Sequence, residues 1–175
     1  MSEDRIILDP DEEDVAWSQE EAAQKKKVRL LTFSLEKENY CIPLSHAKEV
    51  IEPQAITRVP NSPDFIVGVI NLRGEITSVL DIRHFFGLSE NEKSKDARVI
   101  ITDVTGSYIG FIVDSVKAII DIEEEAIQPP LATLKGKLVD YTKGEIQLGD
   151  DIFILLDLNK VLDNEAINNL RKGVS

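Results

Sequence analysis

From residue 28 onward the chain consists of short apolar runs, some of them alternating with polar residues, separated by turn-forming residues. Runs of four to eight such residues bounded by Gly, Asn or Asp are typical of β-strands. The predicted strands cover residues 28–35, 40–44, 65–72, 75–82, 99–104, 108–113, 145–148 and 152–158. The pattern therefore predicts a protein built mostly from hairpins.

The connections between these runs support hairpins. Residues 73–74 are Arg-Gly, residues 105–107 are Thr-Gly-Ser, and residues 149–151 are Gly-Asp-Asp. Glycine takes positive φ angles without steric cost, as tight hairpin turns require. Only residues 84–88, capped by Gly87, and residues 162–172, with Asp163 or Asn164 as N-cap, resemble helices. Many short strands and little helix predict an all-β fold of the barrel or sandwich class.

The chain also resembles itself. An offset of 69 residues places Leu30 on Val99 and residues 48–51 on residues 117–120. With short insertions, Ile56 then meets Ile127, and residues 80–82 meet residues 156–158. This predicts two pseudo-repeated β-barrel subdomains at about 30–88 and 98–162, each too small for a generous core of its own. A chance match between short apolar runs remains the alternative.

The acidic character of the protein lies mainly in its first residues. The chain has 32 acidic and 20 basic residues, a net charge of −12, and nine acidic residues against one basic residue in the first 24. We expect residues 1–27 to be a disordered acidic tail and residues 28–175 to form the folded domain. A partner-docking motif at residues 6–8 and Trp17 is the alternative. The charge argues against nucleic-acid binding and anchoring on an anionic membrane.

Few residues are candidates for chemistry. Cys41, His46 and His84 do not have the spacing of a zinc site, and no glycine-rich phosphate loop is present. Asp81 beside His84 could belong to a small hydrolase, but a nucleophile or metal would still be needed. The sequence therefore predicts a binding module, without metal or cofactor, rather than an enzyme. The acidic N-terminus and the lack of an apolar run of about 18 residues predict a cytoplasmic protein.

Residues 58–83 are more specific than a generic β-hairpin. They contain the pattern P-x-F-I-x-G-V-x-N-L-R-G at residues 63–74, and Arg73 stands at the exposed end of the predicted hairpin. An arginine presents a fork of donors that can hold a carboxylate of a partner protein. The segment therefore points to a protein interface.

This segment resembles the CheW family of bacterial chemotaxis coupling proteins, and the resemblance extends over about residues 28–162. Further matching motifs are L-D-x-R at 80–83, V-D-x-V at 113–116, Q-P-P at 128–130 and L-L-D at 155–157. The resemblance implies two fused five-stranded SH3-like β-barrels with a few short helices and a C-terminal helix. It also implies that the protein has no catalytic activity.

The resemblance further implies a set of partners. Family members link the cytoplasmic tip of methyl-accepting chemoreceptors to the regulatory domain of the histidine kinase CheA, and reach the inner membrane through these partners. A monomer in isolation, with no direct membrane insertion, is expected. The positions implied in receptor binding are Ala47, Glu49, Val50, Arg73, Gly110 and Val113, and those implied in kinase binding are Ile56 and Gly68. A CheW-like scaffold of an accessory system, or of a system for surface motility or gene regulation, remains the alternative.

Overall fold

The structure is a computed structural model that describes residues 26–53, 56–88, 94–104, 106–130 and 136–163. The strands are β1 Lys27–Leu35, β2 Glu38–Pro43, β3 Ala47–Ile51, β4 Ile66–Leu72, β5 Glu75–Leu80, β6 Arg98–Val104, β7 Ser107–Val113, β8 Ser115–Glu123, β9 Thr142–Leu148 and β10 Asp151–Leu156. The short α-helices are α1 Arg83–Phe86, α2 Lys137–Asp140 and α3 Leu158–Leu162, and 3₁₀ turns occupy Leu44–His46 and Glu124–Ala126. Nearly all of the predicted acidic tail, and residues 164–172 of the predicted C-terminal helix, lie outside the described residues.

The strands form two five-stranded sheets, which confirms the predicted all-β fold. Sheet I has the order β9-β10-β2-β1-β8, and sheet II has the order β4-β5-β7-β6-β3. Each sheet is antiparallel except for one central parallel pair, β2 with β10 in sheet I and β7 with β5 in sheet II. Parallel pairing requires a long crossover connection, so each sheet combines strands that are distant in sequence.

The predicted subdomains at 30–88 and 98–162 do not match the sheets. Strands β1 and β2 of the first half pair with β8–β10 of the second, and β6 and β7 of the second half pair with β3–β5 of the first. The 3₁₀ turn Leu44–His46 after β2 and the single residue Asp114 after β7 carry the chain from one sheet to the other. In each half of the chain, the crossover to the other sheet follows the second strand. Each sequence repeat therefore contributes strands to both sheets and does not form one sheet by itself.

The two sheets are nonetheless equivalent position by position. The parallel ladder of sheet II aligns Ser78 with Ile109, and that of sheet I aligns Ile154 with Tyr40, as the offsets of 76 and 69 residues require. Register irregularities also correspond, between residues 66 and 68 of β4 and between residues 142 and 144 of β9. The internal repeat therefore encodes two copies of one sheet topology.

Both faces of each sheet are apolar. Alternate residues of β1 lie on opposite faces of sheet I. Leu30 packs in an inner core of sheet I, whereas Leu31 packs in a core shared by both sheets. Sheet II has its own inner core around Val79 and Val99. In the shared core, Tyr40 stacks between Phe33 and Phe86, with ring centroids 6.0 Å apart in each pair. Burial of both faces explains why many strands are apolar runs rather than strictly alternating ones.

The outer strands of each sheet approach one another. Beyond β3, Thr57 exchanges two backbone hydrogen bonds of 2.8 Å with Val69 of β4, the strand at the opposite edge of sheet II. Gln128, beyond β8, makes the same pair of bonds with Glu145 of β9 in sheet I. Each sheet is thereby curved toward a barrel, which covers backbone groups that an open edge would expose.

Several elements differ from the sequence expectations. The edge strands β3 and β8 were not predicted, because their positions are mostly exposed or half-buried and carry no apolar run. The predicted strand 152–158 ends at Leu156, and α3 begins two residues later, where the Asp157 carboxylate accepts a hydrogen bond from the Lys160 amide. Asp163, predicted as an N-cap, is the C-cap of α3.

The hydroxyl of Tyr40 provides a test of the shared core. Tyr40 is fully buried, and its Oη has no hydrogen-bond partner within the described part of the chain. Removing an unpaired buried hydroxyl costs no hydrogen bond, so we expect Tyr40→Phe to leave the free energy of unfolding unchanged or to raise it by about 1 kcal/mol. Urea denaturation measures this, with the exposed Tyr108→Phe as control. A loss of more than about 1 kcal/mol would contradict this view of the core.

Cys41 provides a test of how tightly sheet I is closed. The thiol is buried in the inner core, and burial raises its pKa to about 12. The thiolate is the reactive form, so we expect a disulfide reagent at about pH 8 to modify Cys41 only after the sheet opens. The modification rate should therefore follow the global unfolding equilibrium as urea is added. Rapid modification in native buffer would show that sheet I opens locally.

Candidate functional site

The turn between β4 and β5 presents Arg73 to solvent. Arg73 and Gly74 both have positive φ, 53° and 88°, as in a two-residue hairpin turn of the type that favours Asn-Gly. The Gly74 amide donates to the Asn71 side-chain oxygen at 2.9 Å, which fixes the turn. Arginine is unfavourable at a left-handed position, by roughly 1 kcal/mol or more. Its presence at this tip, with 82% of the side chain exposed, is not explained by turn formation.

An ion pair connects this turn with the opposite edge of sheet II. Arg73 Nη2 lies 2.9 Å from Glu49 Oε2, and Glu49 belongs to the edge strand β3. Such exposed pairs contribute about 0–1 kcal/mol to stability, so the pair does little to hold the fold together. It orients the guanidinium beside β3.

The same strand carries apolar residues to the surface. Ala47 is partly buried against the shared core, and Val50 pairs in register with Ile100 of that core while remaining 40% exposed. The shared core therefore reaches solvent along β3. Ala47, Glu49, Val50 and Arg73 thus form one candidate surface, here called the β3 surface, with an apolar strip and an ion pair beside it.

Gly110 and Val113, two of the implied receptor-binding residues, are not on this surface. A Cβ atom on Gly110 would lie 2.9 Å from Val99 Cγ1 and 3.2 Å from Ile101 Cδ1, within the inner core of sheet II. Val113 is 1% exposed and packs in the shared core. Both residues are needed for packing, and neither is available for direct contact with a receptor in this structure.

Ile56 and Gly68, the implied kinase-binding residues, contact each other. Gly68 is buried, and a Cβ atom there would overlap the Thr57 carbonyl oxygen and lie 2.7 Å from Ile56 Cγ2. Gly144 of sheet I stands in the same relation to Ile127, at 2.6 Å. The glycine is therefore required for the backbone approach that joins the edges of each sheet. Ile56 is only half-buried, so part of its side chain is accessible.

The residues considered for catalysis are otherwise engaged. Arg83 Nε and Nη2 donate to the two carboxylate oxygens of Asp81 at 3.0 and 2.8 Å, while the exposed His84 ring packs near Phe65 and Phe85. The Asp81–His84 pair of the hydrolase hypothesis is therefore not formed. Among the described residues, no three potential ligands are grouped for a metal ion. Within the same ranges, no helix is long and apolar enough to cross a bilayer.

Exposed apolar residues were missed by the sequence analysis. Ile76 is 64% exposed and Ile119 is 55% exposed, with Leu148 and Ile152 also at the surface. The internal repeat could have drawn attention to them, since Val50 corresponds to Ile119 and Ile76 to Ile152. Both sheets therefore expose apolar side chains at equivalent positions.

Comparisons of this chain with known proteins all identify the same family. A family model described as CheW-like domain matches residues 29–166. The chain is 32% identical to the chemotaxis protein CheW of Klebsiella aerogenes over 146 residues, 82% of this chain and 88% of that protein. It is 28% identical to CheW of Treponema pallidum over 153 residues, 85% and 90% of the two chains.

A solved structure is also similar. The scaffolding protein TtCheW from Thermoanaerobacter tengcongensis superposes with a TM-score of 0.71 at 34% identity, covering 81% of this chain and 91% of that chain. The similarity therefore includes both sheets rather than one hairpin motif.

The close approach at Gly68 predicts a stability effect. We expect Gly68→Ala to lower the free energy of unfolding by about 1–3 kcal/mol, because the added methyl group meets the Thr57 backbone rather than a flexible side chain. Gly144→Ala should have a similar effect through Gln128. Chemical denaturation of both variants measures the change, with Ser78→Ala as a control in the same sheet. Wild-type stability of Gly68→Ala would show that this approach is not required.

Proposed function

This chain belongs to the CheW-like domain family of chemotaxis scaffold proteins, and we propose that it is a non-catalytic coupling protein. It links the cytoplasmic tip of methyl-accepting chemoreceptors to the regulatory domain of a CheA-type histidine kinase. The observation that carries the proposal is Arg73, held in a left-handed turn and exposed beside β3. A residue in that conformation is better explained by a partner than by the hairpin.

The β3 surface is the proposed receptor contact. Ala47 and Val50 offer an apolar strip at the border of the shared core, which suits the apolar face of a receptor helix. Arg73 and Glu49 lie beside that strip and offer a cation and an anion. Charges at the rim of an interface favour the correct partner and register more than they add affinity. Gly110 and Val113 support this surface from within.

Ile56 and Gly68 are the proposed kinase contact. Ile56 contributes accessible apolar area, and Gly68 acts indirectly by letting Ile56 and Thr57 approach β4. Ile56 lies against β4 at Gly68, whereas Arg73 lies in the turn that follows β4, so the two proposed contacts use different residues. One sheet could then hold both partners at once.

The groups that could serve in catalysis are otherwise engaged. Asp81 is bound by Arg83, and burial raises the pKa of the Cys41 thiol, so the main candidates for acid–base or nucleophilic work are poorly suited to it. The protein works without a cofactor, in the cytoplasm, and reaches the inner membrane only through its partners.

Charge reversal at Arg73 tests the proposal. In receptor, kinase and coupling-protein mixtures from the source organism, we expect Arg73→Glu to weaken receptor binding about tenfold and to reduce receptor-dependent kinase activation. Kinase binding should persist at micromolar affinity or tighter, near −8 kcal/mol. The fold should be retained, because the lost ion pair is exposed.

Arg29→Glu is the matched control. Arg29 is also an exposed arginine in an ion pair, with Asp121 at 2.8 Å, but it lies in sheet I. It should leave activation unchanged. Normal activation by folded Arg73→Glu would remove Arg73 from the receptor interface. Failure of the wild-type chain to bind either partner would contradict the proposed function and favour a scaffold of another signalling system.

A further inference from the structure

Asp114 is the single residue that connects sheet II to sheet I, between the end of β7 and the start of β8. Its backbone amide donates to the Ser34 carbonyl oxygen at 3.0 Å. Its Oδ2 accepts a hydrogen bond of 2.5 Å from the Glu36 amide, in the turn between β1 and β2. The crossover is thereby fastened to the first hairpin of sheet I.

Arg83 reaches the same crossover from the other side. It is the first residue of α1, which follows β5 of sheet II, and its side chain is 7% exposed. Two of its nitrogens are bound by Asp81, and its Nη1 lies 3.7 Å from Asp114 Oδ1. The hydrogen bonds that Arg83 donates to Asp81, together with the charges of Asp81, Asp114 and Glu36, raise the pKa of Arg83 and keep it charged. An ionic network, buried at Arg83 and Asp81 and half-buried at Asp114, therefore spans the boundary between the sheets.

The internal repeat does not reproduce this network. At the equivalent crossover after β2, the repeat places Asn159 for Arg83 and Ser45 for Asp114, while Asp157 caps α3. Two copies of one topology thus differ at this feature. Buried ion pairs contribute little net stability, because desolvation offsets their attraction, and their best-supported role is to select one arrangement among similar ones.

We propose that Arg83 and Asp114 form an ionic lock that sets the orientation of sheet I against sheet II, and with it the shape of the β3 surface. Ala47 contacts the shared core, and Val113, adjacent to Asp114, is a member of that core. A rotation of one sheet against the other would alter the core border that Ala47 and Val50 form. Arg83 and Asp114 are positioning residues. The consequence for receptor binding rests on the proposed function.

Asp114→Asn tests the lock. The amide oxygen can still accept from the Glu36 amide, but the charge opposite Arg83 is lost. Spin labels at Glu75→Cys in sheet II and Lys143→Cys in sheet I, both exposed, report the distance between the sheets, since the buried Cys41 thiol should not react. We expect the distance distribution to become at least about twice as broad as in the wild type, and the dissociation constant for the receptor tip to rise about tenfold.

Matched variants distinguish loss of the ionic lock from a general loss of structure. Asp114→Glu keeps the charge and should restore a narrow distribution, whereas Asp150→Asn, an exposed turn carboxylate in sheet I, should change neither readout. If Asp114→Asn does not fold, Asp114→Ser, the residue at equivalent position 45, replaces it in both measurements.

The distance distribution and the receptor dissociation constant test separate parts of the proposal. An unchanged distance distribution in Asp114→Asn would overturn the lock, whatever the partners do. A broader distribution with unchanged receptor affinity would overturn its link to docking. A wild-type chain that binds no receptor would contradict the proposed function, and the distance measurement, which needs no partner, would still decide the lock.

Discussion

Two short parallel ladders, β2 with β10 and β7 with β5, join strands from opposite halves of the chain, and the other strands of each sheet are arranged around them. Neither sheet can form until both halves of the chain are present. The arrangement also places Tyr40 and Ile109, equivalent residues of the two ladders, in one shared core. We infer that the two sheets fold as one cooperative unit, although each has its own inner core.

Local features of the sequence predicted the hairpins well, because turn chemistry acts over a few residues. Arg73-Gly74 and Gly87 stand where a turn and a helix cap were expected. The exchange of strands could not be predicted, since β1–β2 present the same apolar pattern as β6–β7 and would satisfy either sheet. Crossover connections of three residues and one residue decide the pairing. Pro43 is accommodated in central strand β2 because it lies beyond residues 39–41, which pair with β10.

The sequence indicated the candidate site at Arg73, because an arginine is unusual at a hairpin turn. Arg73 stood out in the sequence and is exposed in the structure, and the strained turn and the Glu49 partner were new information. Gly110 and Val113 were chosen because they match family positions, and motif matching does not separate core residues from contact residues. The roles of Arg83 and Asp114 depend on a contact between distant motifs, which no pattern within one motif could reveal.

The coupling role requires sheet II to hold two partners through different residues at the same time. The most direct measurement is the dissociation constant of this protein for a receptor cytoplasmic tip, by calorimetry, with and without a saturating concentration of the kinase regulatory domain. We expect a ternary complex, with the receptor dissociation constant changed by less than about threefold, since the two contacts do not overlap. Loss of receptor binding when the kinase domain is saturating would show that the partners compete for one surface, and would contradict the coupling role.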